Sequence, residues 1–279
     1  MKNQPVRRSM LVTTFFTCLL LLLPGALRAG ETVWFGGTQR ALPLSLAAPK
    51  EDGLRSVWAF TDHGQDVWDF NLGTDVSVWQ RTNESSFQSM GPRFGVATRF
   101  QFNSGSFDMW ATDVRGGGVY GIRFKRTAYE FFFYHESSHL GDEMLDRGER
   151  ERIDYNVNGV RLTASWTGEE WLRLYGGVIG QPWAKPEKLR SAGFHAGVEL
   201  TRLPPWERGY VALDAEAWEW RSWNPDAAIQ AGFFIGPKGK GKALEASRLF
   251  FELRCGRVML GQFYNETEQY FGLGLGTNW

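Results

Sequence analysis

Alternation is what most limits the folds open to this chain. Across residues 67–81, Trp68, Phe70, Leu72, Thr74, Val76 and Val78 hold one parity, while Asp69, Asn71, Gly73, Asp75 and Ser77 hold the other. Successive residues of a strand point to opposite faces, so such a segment has one apolar and one wet face. The split recurs at 93–102, where Phe94, Val96, Phe100 and Phe102 oppose Arg93, Arg99 and Gln101. It recurs again at 118–125, 194–200, 211–218 and 248–255.

A soluble β-sandwich also alternates, and two features argue for a membrane barrel instead. The polar parity carries both signs of charge on strand after strand, through Arg99, Arg123, Asp214, Glu216, Arg248, Glu252 and Arg254. That suits the lumen of a barrel, either a channel for polar solutes or a salt-bridged plug. The last segment alternates Phe271, Leu273, Leu275, Thr277 and Trp279 with Gly272, Gly274, Gly276 and Asn278, and it resembles the assembly signal of bacterial outer-membrane barrels. With 33 Gly, 13 Trp and 21 Phe, the chain is rich in glycine and aromatics. After the leader, no run nears the ~18 apolar residues of a spanning helix. The expected fold is an all-β, transmembrane, antiparallel up-and-down β-barrel of about 12 strands.

The leader reads as a signal peptide over 1–29: Arg7 and Arg8, an apolar run with five leucines from Leu19, then small residues up to Ala29. A retained membrane anchor is the alternative. Residues 30–54 show no sustained period and read as a periplasmic lead-in, with the barrel at 55–279. Without Cys18 the chain keeps only Cys255, which excludes an intrachain disulfide framework. Equal numbers of basic and acidic residues, 31 each, give no hint of a nucleic-acid partner. The expected location is the bacterial outer membrane. The expected partners are its lipids and lipopolysaccharide, and the outer-membrane assembly machinery.

Eleven turn-like breaks make twelve strands. With both termini periplasmic, the strand starting near Thr127 runs outward, and residues 141–150 form an outer loop. That strand ends in FFFYHESSHLGDE (131–143), whose His135–His139 matches HExxH, a zinc-protease expression. HExxH works on a helix, where both imidazoles reach one metal. Here the flank is Phe131, Phe132, Phe133 and Tyr134, and Gly141 follows, which favours a strand. On a strand the two histidines lie about 13 Å apart, and no third ligand is placed by a motif, so a zinc hydrolase is the weakest reading.

The SSHLGDE core (137–143), preceded by Tyr134–His135, resembles the motif of an uncharacterised bacterial family, domain of unknown function 1207. The likeness extends to LAAPKEDGLRSVW (46–58), WDFNLGTDVSVWQR (68–81), 152–158 and 172–177. It implies an outer-membrane barrel and brings no established activity. Strand parity puts His135, Ser137 and His139 on the Phe131/Phe133 face, taken as the lipid side, and Glu136 and Ser138 on the other. The His-x-Ser pair resembles, locally only, the outer-membrane phospholipase and lipid A deacylase families. There a histidine two residues earlier activates a serine, and an Asn or Glu on the next strand orients the histidine.

The candidate catalytic set is therefore His135, Ser137 and Glu149. In a wider loop Glu149 or Glu151 would approach His139 instead. The remaining motif and loop residues are Ser138, His139, Asp142 and Glu143. No cofactor is expected, although Asp142 and Glu143 could bind calcium through carboxylate oxygens. A plainer account has these Ser and His residues capping exposed backbone near a barrel rim. The leading expectation is a structural, pore or solute-passage role, with a surface lipid or acyl-ester hydrolase as the alternative.

Overall fold

The structure is a computed structural model that describes residues 30–278, apart from 52, 104–105, 149, 170, 203–204, 206 and 237–246. The expected signal peptide and Trp279 lie outside the described residues. Fourteen strands run in chain order. They are β1 (Glu31–Gly37), β2 (Gly53–Thr61), β3 (Asp66–Asp75), β4 (Ser77–Thr82), β5 (Phe87–Asn103), β6 (Ser106–Arg123), β7 (Thr127–Leu140), β8 (Tyr155–Thr167), β9 (Leu172–Lys185), β10 (Ala192–Thr201), β11 (Gly209–Trp218), β12 (Pro225–Phe234), β13 (Arg248–Arg257) and β14 (Thr267–Thr277). A short helix, α1 (Asp142–Asp146), follows β7.

Twelve of these strands, β2, β3 and β5 to β14, close into an antiparallel barrel through the β14–β2 and β5–β6 pairings. Of the two others, β4 pairs with the first half of β5 and β1 pairs with β4. The segment expected as one strand at 67–81 is thus two: β3 pairs with the distal half of β5, and after Val76 β4 pairs with its proximal half. The strands β1 and β2 line up on the same flank. They act as one wall strand interrupted by an excursion of the chain.

Parity is kept along most of the wall. On β7, Ala128, Glu130, Phe132, Tyr134, Glu136, Ser138 and Leu140 are buried, while Tyr129, Phe133, His135 and His139 are exposed. The outer wall presents Trp58, Leu72, Phe94, Phe194, Phe251, Leu253, Phe271 and Leu273 to the surroundings, the apolar band of a membrane barrel. Inside, Gly274 is required because a Cβ there would meet the Phe250 ring at 2.5 Å. The pattern blurred near residues 103–115 because of a β-bulge. Arg99 pairs with Ala111 and Phe100 with Met109, which leaves Trp110 as an extra residue, and Trp110 and Ala111 are both buried.

The lumen is filled. Arg99, fully buried, is clamped by Asp69 at 2.6 Å and Glu268 at 2.5 Å, and Arg254 reaches Glu268 at 3.1 Å. Arg93 joins Asp75 and Glu130, while Glu252 receives Arg55, Tyr270 and Gln230. Asp214 accepts from Tyr175 at 2.7 Å, Glu216 pairs with Arg257, and Arg123 stacks over Phe87. Each buried charge therefore faces an opposite charge or a hydrogen-bond donor or acceptor, which its removal from water demands. His195 is also inside, bonded to Arg161 and Thr163.

Of residues 38–51, expected to belong to a periplasmic lead-in, 41–42 and 44–48 are buried within the barrel. Arg173 donates to the Pro43 carbonyl at 2.8 Å, the Leu46 amide donates to Glu199 at 2.8 Å, and Arg248 donates to the Leu46 carbonyl. Lys50 bridges Asp113 at 2.5 Å and Glu136 at 2.8 Å. These partners sit on β6, β7, β9, β10 and β13, so the segment crosses the lumen. At the end of the barrel away from Gly53 and Thr277, the β13–β14 connection folds inward. Val258, Met259, Leu260 and Phe263 join the same apolar cluster as Leu46, Ala47 and Phe250.

Candidate active site on the outer wall

Strand β7 leads from the end holding both termini of the barrel to the opposite end. Its last turn of sequence, SSHLGDE, divides by parity into two jobs. The inward residues pack. Ser138 Oγ accepts the Gln262 amide at 2.9 Å while Gln262 Nε2 donates to the Ser138 carbonyl at 2.8 Å, which pins the inward loop. Leu140 belongs to the lumen cluster, and Gly141 sits so close to Met109 that a Cβ would lie 1.8 Å from its carbonyl oxygen. Asp142 and Glu143 are exposed in the first turn of α1. Glu136 is inside with Lys50, across the sheet from His135 and His139, so the three elements of HExxH do not share a face.

The outward residues have no such packing reason. His135 Nδ1 lies 3.1 Å from Asn158 Oδ1 on β8. Ser137 Oγ lies 3.4 Å from His139 Nε2, and His139 Nδ1 lies 3.4 Å from Arg152 Nη2. Ser137 is thus bonded to the histidine after it, and not to the one before it as the His-x-Ser reading expected. Glu149 lies outside the described residues. The neighbour that β8 sets beside His135 is Asn158, and Arg152, not Glu151, is the residue that meets His139. The register explains this: β8 begins at Tyr155, so residues before it never pair with β7, and His135 falls opposite Asn158 and Ser137 opposite Asn156. A bulge in β9, where Asn158 pairs with Trp183 but Val160 with Gly180, adjoins Asn158; bulges commonly re-aim side chains beside functional sites. The signal that could have found Asn158 is its polarity at an outward position of a lipid-side strand.

The hydrogen-bond partners assign the tautomers. A guanidinium only donates, so His139 Nδ1 accepts from Arg152 and the ring proton sits on Nε2, pointing at Ser137 Oγ. Asn158 Oδ1 only accepts, so His135 carries its proton on Nδ1 and leaves Nε2 with a free lone pair. His135 Nε2 is then an open acceptor, and His139 Nε2–H faces the serine oxygen. Nearby, Lys185 donates to Asp154 at 2.9 Å, and that hydrogen bond holds the Asp154 carboxyl below its ordinary range.

Residues 55–279 match the family described as "Protein of unknown function (DUF1207)". The chain belongs to the DUF1207 family. No curated protein is similar to it in sequence. Among solved structures, the DUF1207 barrel is similar to outer membrane phospholipase A from Escherichia coli, with a TM-score of 0.59 and 14% identity over 81% of this chain and 92% of that one. A Salmonella typhi outer membrane phospholipase dimer with bound calcium gives 0.59 and 13%, over 82% and 91%. An active-site mutant of the Escherichia coli phospholipase, with alanine in place of an asparagine, gives 0.59 and 13%, over 88% and 95%. At these identities the likeness is one of fold: a barrel like those of outer-membrane proteins.

Proposed function

We propose that this protein is an outer-membrane barrel that hydrolyses acyl esters of membrane lipids, with Ser137 as nucleophile. The observation that carries the reading is a serine between two imidazoles on the outer wall, with one imidazole held by Asn158 at 3.1 Å. Polar groups facing lipid are costly and tend to be functional. With the termini periplasmic, this end of β7 lies at the outer surface. Supporting the location are the apolar exterior and the barrel fold shared with outer-membrane proteins.

The chemistry follows from the tautomers. Ser137 gives its proton to His135 Nε2 as Oγ attacks the ester carbonyl, and the developing imidazolium is steadied through Nδ1–H by Asn158. His135 then protonates the departing alcohol, leaving an acyl-serine. A water, deprotonated by His135, releases the fatty acid and restores the hydroxyl. His139 Nε2–H keeps Ser137 Oγ oriented, and catalytic hydrogen bonds loose in a free enzyme tighten with substrate bound. An asparagine is also an active-site residue of the phospholipase of similar fold.

Against solute passage stands the lumen, crossed by residues 38–51 and packed with ion pairs. The test is fatty-acid release from phospholipid or lipid A by the full chain in micelles. Release that disappears with Ser137→Ala supports the reading. Full activity in that variant, or none in the parent, sinks it.

A further inference from the structure

Beside Ser137 the outer wall has a groove of about 420 Å³, formed by the outward side chains Leu72, Thr74, Phe94, Val96 and Val114. Its position relative to the serine is set by register. Ser137 pairs with Val114, Val114 with Val96, and Val96 with Leu72. These four form one row across β7, β6, β5 and β3, with neighbours about 4.8 Å apart. The next row on this face contains His135, Gly116, Phe94 and Thr74, and the Phe94 ring lies over Gly116. The groove therefore extends from the level of Ser137 toward the terminus-bearing end, which is toward the membrane interior.

On the rim side of the serine, Arg152, in the connection before β8, meets His139. It is exposed, donates to His139, and lies within electrostatic reach of Asp154. The adjacent Asp154 is engaged by Lys185. Because Lys185 takes the direct contact with Asp154, the exposed Arg152 guanidinium can turn to a phosphate, which it can hold with two parallel hydrogen bonds.

We infer that the substrate is a phosphorylated acyl lipid, with its phosphate on Arg152 and an acyl chain in the Leu72–Phe94–Val96–Val114 groove. The inference rests on Ser137 being the nucleophile. Cation, ester-cleaving serine and apolar groove then follow one another from rim to membrane interior, in the order of headgroup, ester and tail of such a lipid. A diacyl phosphoglycerolipid and lipid A share this chemistry.

The test uses the full chain in non-ionic micelles. Substrates are an ester-linked phosphoglycerolipid, lipid A, a neutral diacylglycerol of equal chain length and a short-chain ester. The variants are Arg152→Gln, which keeps a donor for His139, and Val96→Trp, which fills the groove. The ratio of kcat/KM on phosphorylated over neutral lipid should fall about tenfold in Arg152→Gln, mainly through KM, as loss of a charge-assisted contact predicts. The ratio of long-chain over short-chain ester should fall similarly in Val96→Trp. Whichever phosphorylated lipid the parent prefers identifies the source. Unchanged ratios would overturn the recognition and leave the hydrolase standing. Binding of a non-hydrolysable ether-linked phosphoglycerolipid separates the two ideas from the other side. Tight binding that weakens about tenfold in Arg152→Gln, without hydrolysis by the parent, would keep the recognition and remove the hydrolase; equal binding by both would overturn the recognition.

Discussion

Exchanging the two imidazoles that flank Ser137 separates their roles. If His135 is the base, His135→Gln removes general-base catalysis, a contribution of about 10²–10⁴ in rate. His139 is assigned only as a donor, through Nε2–H, to a serine oxygen 3.4 Å away. A glutamine amide also donates, so His139→Gln should cost no more than about tenfold, the size of one modest hydrogen bond. The Asn158 contact at 3.1 Å is a bond between neutral groups, worth about 1 kcal/mol, so Asn158→Ala should slow turnover about fivefold through kcat. The assay is initial fatty-acid release from mixed micelles in a pH-stat, with far-UV circular dichroism and heat-modifiable gel migration to confirm each barrel. If His139→Gln falls as far as His135→Gln, the base has been assigned to the wrong ring. If Asn158→Ala matches the loss in His135→Gln, its role is larger than orientation.

Three further outcomes test the interior. Arg99→Met should destabilise the barrel by about 3–5 kcal/mol in urea titration, because Asp69 stays buried without its partner and Glu268 keeps only Arg254; adding Asp69→Asn should recover part of the loss. Ser138→Ala leaves the buried Gln262 amide unpaired, a cost of about 1–3 kcal/mol that hydrogen exchange should report as local opening of residues 258–266. The intact chain should carry no steady current in a planar bilayer. Lys50→Glu, which sets a carboxylate against Asp113 and Glu136, should loosen the inner segment and produce current bursts; a silent variant would mean that the seal does not depend on this contact.

The wall was legible because a strand with lipid outside and charge inside leaves a period of two, as on β3, β10 and β13. It was unreadable where Trp110 adds a residue to β6, since one extra residue puts two consecutive side chains on the inner face. Residues 38–51 gave no local sign of their place, because what holds them, Glu199 and Arg248, lies 150 residues or more away in sequence. Parity alone sufficed to put His135, Ser137 and His139 outside and Glu136 inside. Parity could not supply Asn158 or Arg152, because strand partners depend on where β8 begins after the 141–154 connection and on the bulge in β9.

The interrupted first wall strand bears on how the cylinder can be assembled. The seam that completes it joins β14, made last, to β2, the first of the twelve closing strands, which follows the inner segment directly. That segment is gripped by Arg173, Glu199 and Arg248, all from the second half of the chain. The early strands therefore hold only the Lys50 end of it, and the late strands must arrive in the correct order to meet Pro43, Leu44 and Leu46. A wall with one hairpin missing or shifted would present these partners at the wrong height. The inner segment thus ties the circumference to one value, since only this strand order brings Arg173, Glu199 and Arg248 onto it together.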